Sequence, residues 1–160
     1  MHYPTRVIAI QSEDGHTFAA HITLPRETTN PVPCVIVIQE IFGVNDDIRE
    51  KCAWLASQGF IAIAPDLFWR TEHHIQLSDQ VPEELERAFK LFNEFNVELG
   101  VQDLKSTLNV INKEMKTVGK VGCLGYCLGG KLAYLLGCQS NIDASVSYYG
   151  VGIENMLSDA

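Results

Sequence analysis

Short apolar runs alternate with amphipathic stretches along the chain, and this alternation predicts a sheet covered by helices. The first two runs, RVIAIQS and TFAAHITL, are separated by EDGH, so they predict an antiparallel hairpin at a sheet edge. The next two, PCVIVIQ and FIAIA, are almost continuously apolar, as expected of strands that are buried on both faces.

The segments between and after these runs have helical periodicity. In DDIREKCAWLASQG the apolar positions on one face are Ile48, Cys52, Leu55 and Ala56. We expect Asp46 or Asp47 to cap this helix and Gly59 to end it. Two more helical patterns follow, with apolar positions at Leu85, Ala88, Phe89 and Phe92, and then at Val101, Leu104, Leu108 and Ile111.

The last part of the sequence repeats the alternation, with the strand KVGCL, the helix GGKLAYLLGC and the strand DASVSYY. Strands that alternate with helices indicate an α/β fold with a mostly parallel sheet. The length of 160 residues suits one domain, which we assign to residues 1–160. Parallel sheets bind their ligands at the carboxyl ends of the strands, so we expect the site there.

Composition and charge exclude several classes of protein. Apolar residues make up 46% and charged residues 20%, which is typical of a globular protein. The net charge is −8 and there is no basic cluster, so we expect neither a nucleic acid nor a membrane as partner. The N-terminus lacks the apolar run of a signal peptide, and we expect a cytoplasmic protein.

The five cysteines contain no C-x-x-C pair, which argues against a disulfide framework or a zinc site. We expect no metal and no cofactor. Four of the cysteines lie inside apolar strands or helices, where we expect small, buried and unreactive side chains: Cys34, Cys52, Cys123 and Cys138.

The fifth cysteine, Cys127, lies in the sequence GYCLG, between a predicted strand and a predicted helix. This matches the nucleophile elbow G-x-nucleophile-x-G, in which glycines let strand and helix approach while the nucleophile stands clear of the sheet. A helix N-terminus also favours a thiolate over a thiol. The alternative is that the glycines only allow close packing and that Cys127 fills the core.

The same segment also satisfies G-x-x-x-x-G-K, the first seven positions of a phosphate-binding loop. The next position must be serine or threonine to hold magnesium, and here it is Leu132. Nucleotide binding is therefore the weaker interpretation.

Attack on an acyl carbon needs amide donors for the developing oxyanion. In an elbow fold these are the backbone N–H after the nucleophile and one from the loop after the third strand. They correspond here to Leu128 and Ile41. Glu40, beside Ile41, is an acid at the end of a buried strand, although a solvated loop residue or an ion pair is the alternative.

Four segments together resemble the dienelactone hydrolase family, α/β-hydrolases with a cysteine nucleophile, and the similarity runs through nearly the whole chain. They are QEIFGVN, APDLFWR, LGYCLGG and SYYGVG. The resemblance implies an α/β-hydrolase fold and hydrolysis of an enol-lactone or small ester, with an anionic substrate.

The resemblance also implies roles for individual residues. Cys127 is the nucleophile, the amides of Ile41 and Leu128 form the oxyanion hole, and Glu40 hydrogen-bonds the resting thiol and helps to activate it. Arg70 pairs with a substrate carboxylate, unless it forms a salt bridge within the protein. Tyr149, with Tyr148 beside it, lines the pocket or packs in the core.

The histidine and aspartate partners of the nucleophile do not have obvious candidates. All five histidines precede Cys127: His2, His16, His21, His73 and His74. Asp143 and Asp159 do not occupy the position of the family's acid. We therefore expect a chain that is truncated at its C-terminal side, with an exposed sheet edge that a homodimer or another fragment covers. The alternative to an enzyme is an inactive remnant or binding domain that keeps the pocket.

Overall fold

The computed structural model describes residues 3–27, 31–115, 118–156 and 158, and within them the predicted elements form one sheet with helices on both faces. The strands are β1 (Thr5–Gln11), β2 (Thr17–Thr23), β3 (Val32–Ile38), β4 (Ile61–Pro65), β5 (Val118–Tyr126) and β6 (Ala144–Tyr148). The helices are α1 (Asp46–Ser57), α2 (Pro82–Glu94), α3 (Val97–Glu114) and α4 (Leu128–Gln139), followed by a 3-10 turn (Ile153–Asn155).

The order of strands across the sheet is β1-β2-β4-β3-β5-β6. The hairpin of β1 and β2 is antiparallel and joins the sheet antiparallel to β4, whereas β4, β3, β5 and β6 run parallel to one another. The prediction of a mostly parallel sheet with an N-terminal antiparallel hairpin is therefore confirmed.

The two faces of the sheet are buried against different helices. On one face, Val37, Ala62 and Ala64 pack against the α1 positions Ile48 and Cys52. The opposite face packs against α2, α3 and α4 in a larger core, and its fully buried members include Ile36, Ile63, Leu104, Ile111 and Leu132. Because β3 and β4 contribute apolar residues to both cores, their side chains are apolar at nearly every position.

The start of α1 differs from the prediction. Asn45, not Asp46 or Asp47, is the cap: its extended backbone lets Oδ1 accept the Ile48 N–H at 3.2 Å. Its Nδ2 also donates to the Leu77 carbonyl at 3.0 Å, so the cap ties the helix to the following loop. The two aspartates instead lie in the first helical turn, where their charge suits the positive end of the helix dipole.

The predicted buried faces of α1 and α3 are confirmed, whereas those of α2 and α4 differ in part from the prediction. In α2 the buried residues are Ala88 and Leu91, and Phe89 is 52% exposed because it lies beside that stripe rather than on it. In α4 the core-facing residues include Leu132, Leu135 and Leu136, so Cys138 falls on the outer side of the last turn and is exposed. The expectation that Cys138 is buried is therefore wrong.

The strand β6 forms one edge of the sheet. It pairs with β5, all five of its residues are exposed, and no other strand of the described ranges pairs with it. Val146 and Tyr148 are large apolar or aromatic side chains on this edge, 46% and 45% exposed. The homodimer that would cover this edge remains a prediction. Among the described helices, none has the length and apolar character needed to cross a bilayer.

We expect Asn45→Ala to lower the free energy of unfolding by about 1–2 kcal/mol, because it removes both the cap and the bond to the Leu77 carbonyl. Asn45→Asp keeps the acceptor for the cap but loses the donor, so its loss should be smaller. Urea unfolding followed by circular dichroism measures both. Equal losses in the two variants would show that the capping acceptor contributes nothing.

Candidate active site

The chemically interesting residues lie where the parallel strands end. Glu40 follows β3, Arg70 lies in the loop after β4, Cys127 follows β5 and Tyr149 follows β6. Because these four strands are parallel, their carboxyl ends form a single edge of the sheet. The sequence prediction placed the site at this edge.

Cys127 lies on a strained turn between β5 and α4. Its φ of 53° and ψ of −115° are rare for a residue that is not glycine. The amide of Cys127 donates to the Tyr148 carbonyl at 3.1 Å, and its carbonyl accepts the Lys131 N–H at 3.1 Å. Strand, turn and helix thus supply the context that the elbow motif requires.

Two glycines make this turn sterically possible. A Cβ on Gly125 would lie 2.0 Å from the Gly129 carbonyl oxygen, and a Cβ on Gly129 would lie 2.5 Å from the carbonyl oxygens of Ile38 and Gln39. The first turn of α4 therefore packs directly on the backbone at the end of β3. Leu128 is brought beside the loop that carries Glu40 and Ile41.

The amides of Ile41 and Leu128 lie on the two segments that meet here. Both side chains are buried, 7% and 1% exposed, so the backbone at each position is fixed by packing. Outside the helices and strands, no backbone–backbone hydrogen bond in the described part of the chain uses either amide. The oxyanion hole formed by these two amides stays a prediction.

The Cys127 thiol is half-buried and protonated at rest. Burial raises its pKa most, and the negative charge of Glu40 raises it further, whereas the Leu128 N–H lowers it. The net direction is upward, which differs from the expectation that the helix N-terminus would favour the thiolate. Desolvation in this partly closed site outweighs the single favourable N–H.

Glu40 is also half-buried, and burial raises the pKa of its carboxyl group. The positive charge of Lys51 lowers the pKa of Glu40, as does the Tyr149 hydroxyl, which donates to Oε1 at 3.5 Å. The charges of Asp47 and Asp79 raise it. Glu40 therefore has a higher proton affinity than a surface glutamate, which suits a group that accepts a proton from a thiol.

Gln39 also helps to build the site, a role that was not predicted from the sequence. Its side chain is fully buried, its Oε1 accepts the Leu67 N–H at 2.9 Å, and its Nε2 donates to the Glu40 carbonyl at 3.4 Å. The amide thus links the loop after β3 with the loop after β4. A glutamine directly after a buried apolar strand was the signal that could have indicated this role.

Arg70 is engaged by two carboxylates of the protein. Its Nε and Nη2 donate to Asp103 at 3.1 and 2.8 Å, and Nη1 pairs with Asp14 in the β1–β2 turn. The guanidinium also lies 4.3 Å from the centroid of the Trp69 ring. The internal salt bridge considered from sequence is therefore present, and the pairing of Arg70 with a substrate carboxylate remains a prediction.

Three tyrosines cluster beside the elbow. The rings of Tyr126 and Tyr148 stack at 4.8 Å between centroids, and Tyr149 lies 6.0 Å from Tyr126. Tyr149 is 69% exposed with a φ of 40°, so it lies at the surface of the site and not in the core. Lys51 of α1 lies 4.9 Å from the Tyr126 centroid. The sequence alone did not indicate a role for Tyr126 or Lys51.

No described hydrogen bond joins a histidine to Cys127. Of the four histidines in the described ranges, His21 contacts Thr23 at 3.0 Å on β2, and the others lie in the β1–β2 turn or in the loop after β4: His16, His73 and His74. Asp143 pairs with Lys120 and accepts the Val121 N–H at the opposite end of the sheet. His2 and Asp159 lie outside the described residues. Within the described ranges, no three His, Cys, Asp or Glu side chains cluster to hold a metal ion.

The comparisons with known proteins agree on one family. A family model described as the dienelactone hydrolase family matches residues 18–160. The carboxymethylenebutenolidase of Pseudomonas putida is 43% identical over 153 residues, which cover 96% of this chain and 64% of the relative. Carboxymethylenebutenolidase 1 of Cupriavidus pinatubonensis is 41% identical over 151 residues, with coverage of 94% and 64%.

A solved structure supports the fold. The dienelactone hydrolase-like promiscuous phosphotriesterase P91 from metagenomic libraries superposes with a TM-score of 0.73 at 23% identity, covering 98% of this chain and 64% of that chain. The chain thus spans 64% of the length of these curated relatives, and the sheet described above matches the corresponding part of the α/β-hydrolase fold.

We expect Glu40→Gln to accelerate alkylation of Cys127 by iodoacetamide at about pH 8, roughly three- to tenfold. Removing the negative charge lowers the pKa of the thiol and so raises the thiolate fraction. The exposed Cys138 provides an internal reference in the same sample, whereas burial raises the pKa of Cys34 and Cys52 to about 12. Peptide mapping by mass spectrometry measures the ratio of Cys127 to Cys138 labelling.

The matched control is Glu50→Gln, which removes an exposed carboxylate from α1. It should leave the ratio unchanged. A ratio that also stays unchanged in Glu40→Gln would contradict the electrostatic coupling between Glu40 and Cys127.

Proposed function

Because this chain belongs to the dienelactone hydrolase family, we propose that it is a carboxylic ester hydrolase that attacks an enol-lactone or a small ester with Cys127. The observation that carries the proposal is the strained elbow, which holds the thiol at the carboxyl edge of the sheet beside Glu40. A strained backbone at a nucleophilic side chain is a feature of catalytic sites rather than of packing.

The groups in the site can carry out the first chemical step, the acylation of Cys127. The Glu40 carboxylate takes the proton of the Cys127 thiol, and Sγ forms a bond with the carbonyl carbon of the substrate. The carbonyl oxygen becomes an oxyanion, which accepts hydrogen bonds from the amides of Ile41 and Leu128. Collapse of this intermediate breaks the acyl C–O bond, and the leaving oxygen takes the proton from Glu40. The product is a thioester on Cys127: from a lactone the enol stays attached to the acyl group, and from an ester the alcohol is released.

Glu40 and Cys127 have proton affinities that suit this transfer. Burial raises the pKa of both groups, and the negative charge of Glu40 raises the pKa of the Cys127 thiol further. The resting pair is a thiol beside a carboxylate, which protects the nucleophile from adventitious oxidation. A bound substrate covers the thiol and displaces water from it. Its carbonyl carbon then lies next to the sulfur, where the attack can occur.

Two further residues are assigned to substrate binding. Arg70 pairs with a carboxylate on the substrate through the Nη1 and Nη2 N–H groups that Asp14 and Asp103 leave free, and Asp103 holds the fork in position. Tyr149 covers one side of the acyl site, since its ring is exposed and its hydroxyl points to Glu40. The substrate is thus an anionic lactone or ester.

Hydrolysis of the thioester is the step for which the described residues offer no histidine beside the thiol. A water must lose a proton next to the acyl carbon, and no histidine follows Cys127 in the sequence. This observation favours a second candidate, in which the 160-residue chain binds or captures an acyl compound without turning it over.

For the 160-residue chain we expect a single burst of p-nitrophenol from p-nitrophenyl acetate, at most about one equivalent, followed by a rate lower by about 10²- to 10⁴-fold than the burst. Stopped-flow absorbance gives the amplitude and both rates. Cys127→Ser should reduce the burst strongly, because a serine hydroxyl gives up its proton far less readily than a thiol.

Cys138→Ser is the matched control and should leave the amplitude unchanged, since Cys138 is exposed at the far end of α4. Sustained turnover at the burst rate would contradict the account of the missing base. No burst at all would leave only the binding-domain alternative.

We expect Arg70→Ala to lose at least about tenfold more acylation rate on a carboxylated lactone than on a neutral ester, since it removes a charge-assisted pair worth about 1.5–3 kcal/mol. Arg87→Ala, which breaks an exposed ion pair with Glu72 elsewhere on the surface, should affect both substrates equally. Equal losses on both substrates in Arg70→Ala would assign Arg70 to the internal network with Asp14 and Asp103.

A further inference from the structure

A cation of α1 lies beside the acyl site but has no role in the mechanism proposed above. The Nζ of Lys51 is 4.9 Å from the centroid of Tyr126, the residue that directly precedes Cys127. The side chain is half-buried, and none of the salt bridges in the described part of the chain includes Lys51. Its charge is therefore not neutralised by a contacting carboxylate.

The aromatic cluster determines where this charge lies. Tyr126 is held by stacking on Tyr148, and a cation over a ring face is attracted by the ring's electron density. The Tyr149 ring lies 6.0 Å from the Tyr126 ring between centroids, and the Tyr149 hydroxyl reaches the Glu40 carboxylate. An unbroken run of contacts thus leads from the cation on α1 to the acid after β3.

Every charged or titratable group facing Glu40 can be named. From α1 come Asp47, which opposes ionisation of Glu40, and Lys51, which favours it; Asp79 of the loop before α2 opposes it. The remaining neighbours are Tyr126, Cys127 and Tyr149, for which Glu40 in turn raises the pKa. Lys51 is the one cation in this described set. Burial and two carboxylates favour protonated Glu40, and Lys51 opposes them.

We propose that Lys51 is a positioning residue that keeps Glu40 ionised, and so able to accept the thiol proton, through a charge held over Tyr126. This inference rests on the role of Glu40 proposed above, because a charged Glu40 matters to catalysis only if it is the proton acceptor. Lys51 itself touches neither the thiol nor the substrate. Its contribution is a local positive potential in a half-buried site, where a charge is poorly screened by solvent.

The direct test follows the Glu40 carboxyl carbon by ¹³C NMR through a pH titration, with Glu40→Gln used to assign the signal. In Lys51→Gln the midpoint should move to higher pH, because the group that stabilises the carboxylate has been removed. Lys51→Arg should restore the midpoint, since it returns a cation that can lie over Tyr126. Lys90→Gln removes an exposed lysine of α2 and should leave the midpoint in place.

The catalytic readout is the pH profile of the burst with p-nitrophenyl acetate. In Lys51→Gln the burst rate should fall about two- to fivefold at acidic pH and recover at alkaline pH, where Glu40 ionises without assistance. A purely structural role would lower the rate by the same factor at every pH. Lys51→Arg should recover the acidic limb.

The two readouts separate the two claims. A Glu40 midpoint that does not move in Lys51→Gln, or that moves equally in Lys90→Gln, overturns the inference about Lys51. A midpoint that moves while the burst profile does not supports the action of Lys51 on Glu40 and instead contradicts Glu40 as the proton acceptor.

Discussion

The site depends on one backbone contact, in which the first turn of α4 packs against the end of β3 with no side chain between them. A Cβ on Gly129 would lie 2.5 Å from the carbonyl oxygens of Ile38 and Gln39, so any other residue must push the helix away from the strand. The contact sets the distance between the Leu128 amide and the loop with Glu40 and Ile41. It also forces the strained turn at Cys127, and the packing of the surrounding sheet offsets the energetic cost of that strain.

The electrostatics of the site follow from this close packing. Since the strand ends meet closely, Glu40 and Cys127 are both withdrawn from solvent, and burial is the largest cause of the raised pKa in each. The site therefore disfavours two negative charges at once, and a negative charge on Glu40 raises the pKa of the thiol further. The cation of Lys51 and the hydroxyl of Tyr149 favour that charge on Glu40.

Much of the fold could be predicted from the sequence because its signals are local. The continuous apolar runs of β3 and β4 indicate strands buried on both faces, and glycines around Cys127 indicate a close strand-to-helix turn. The cap of α1 was assigned to the aspartates because Asn45 precedes them in a loop that sequence alone does not position. The sequence predicts that Cys138 is buried because its neighbours in α4 are apolar. The pattern does not show that Cys138 itself lies on the outer side of the helix.

The charge network of the site could not be predicted, since it is formed by residues that are distant in sequence. Lys51 meets Tyr126 only when α1 packs on β3 and β4 and β5 pairs with β3. Arg70 meets Asp14 only when the hairpin joins β4. Likewise, Tyr149 reaches Glu40 across 109 positions of sequence. Each of these contacts needs the order of the strands, which propensity and periodicity do not give.

The central claim is that Cys127 forms the acyl bond, and the most direct measurement is to locate that bond. The 160-residue chain would be mixed with an acylating ester, quenched in acid and digested, and the modified peptide sequenced by mass spectrometry before and after neutral hydroxylamine, which cleaves thioesters. The account predicts one acyl group on the peptide containing Cys127, removed by hydroxylamine. An acyl group that resists hydroxylamine, or that lies on Cys138 or another residue instead, would contradict it.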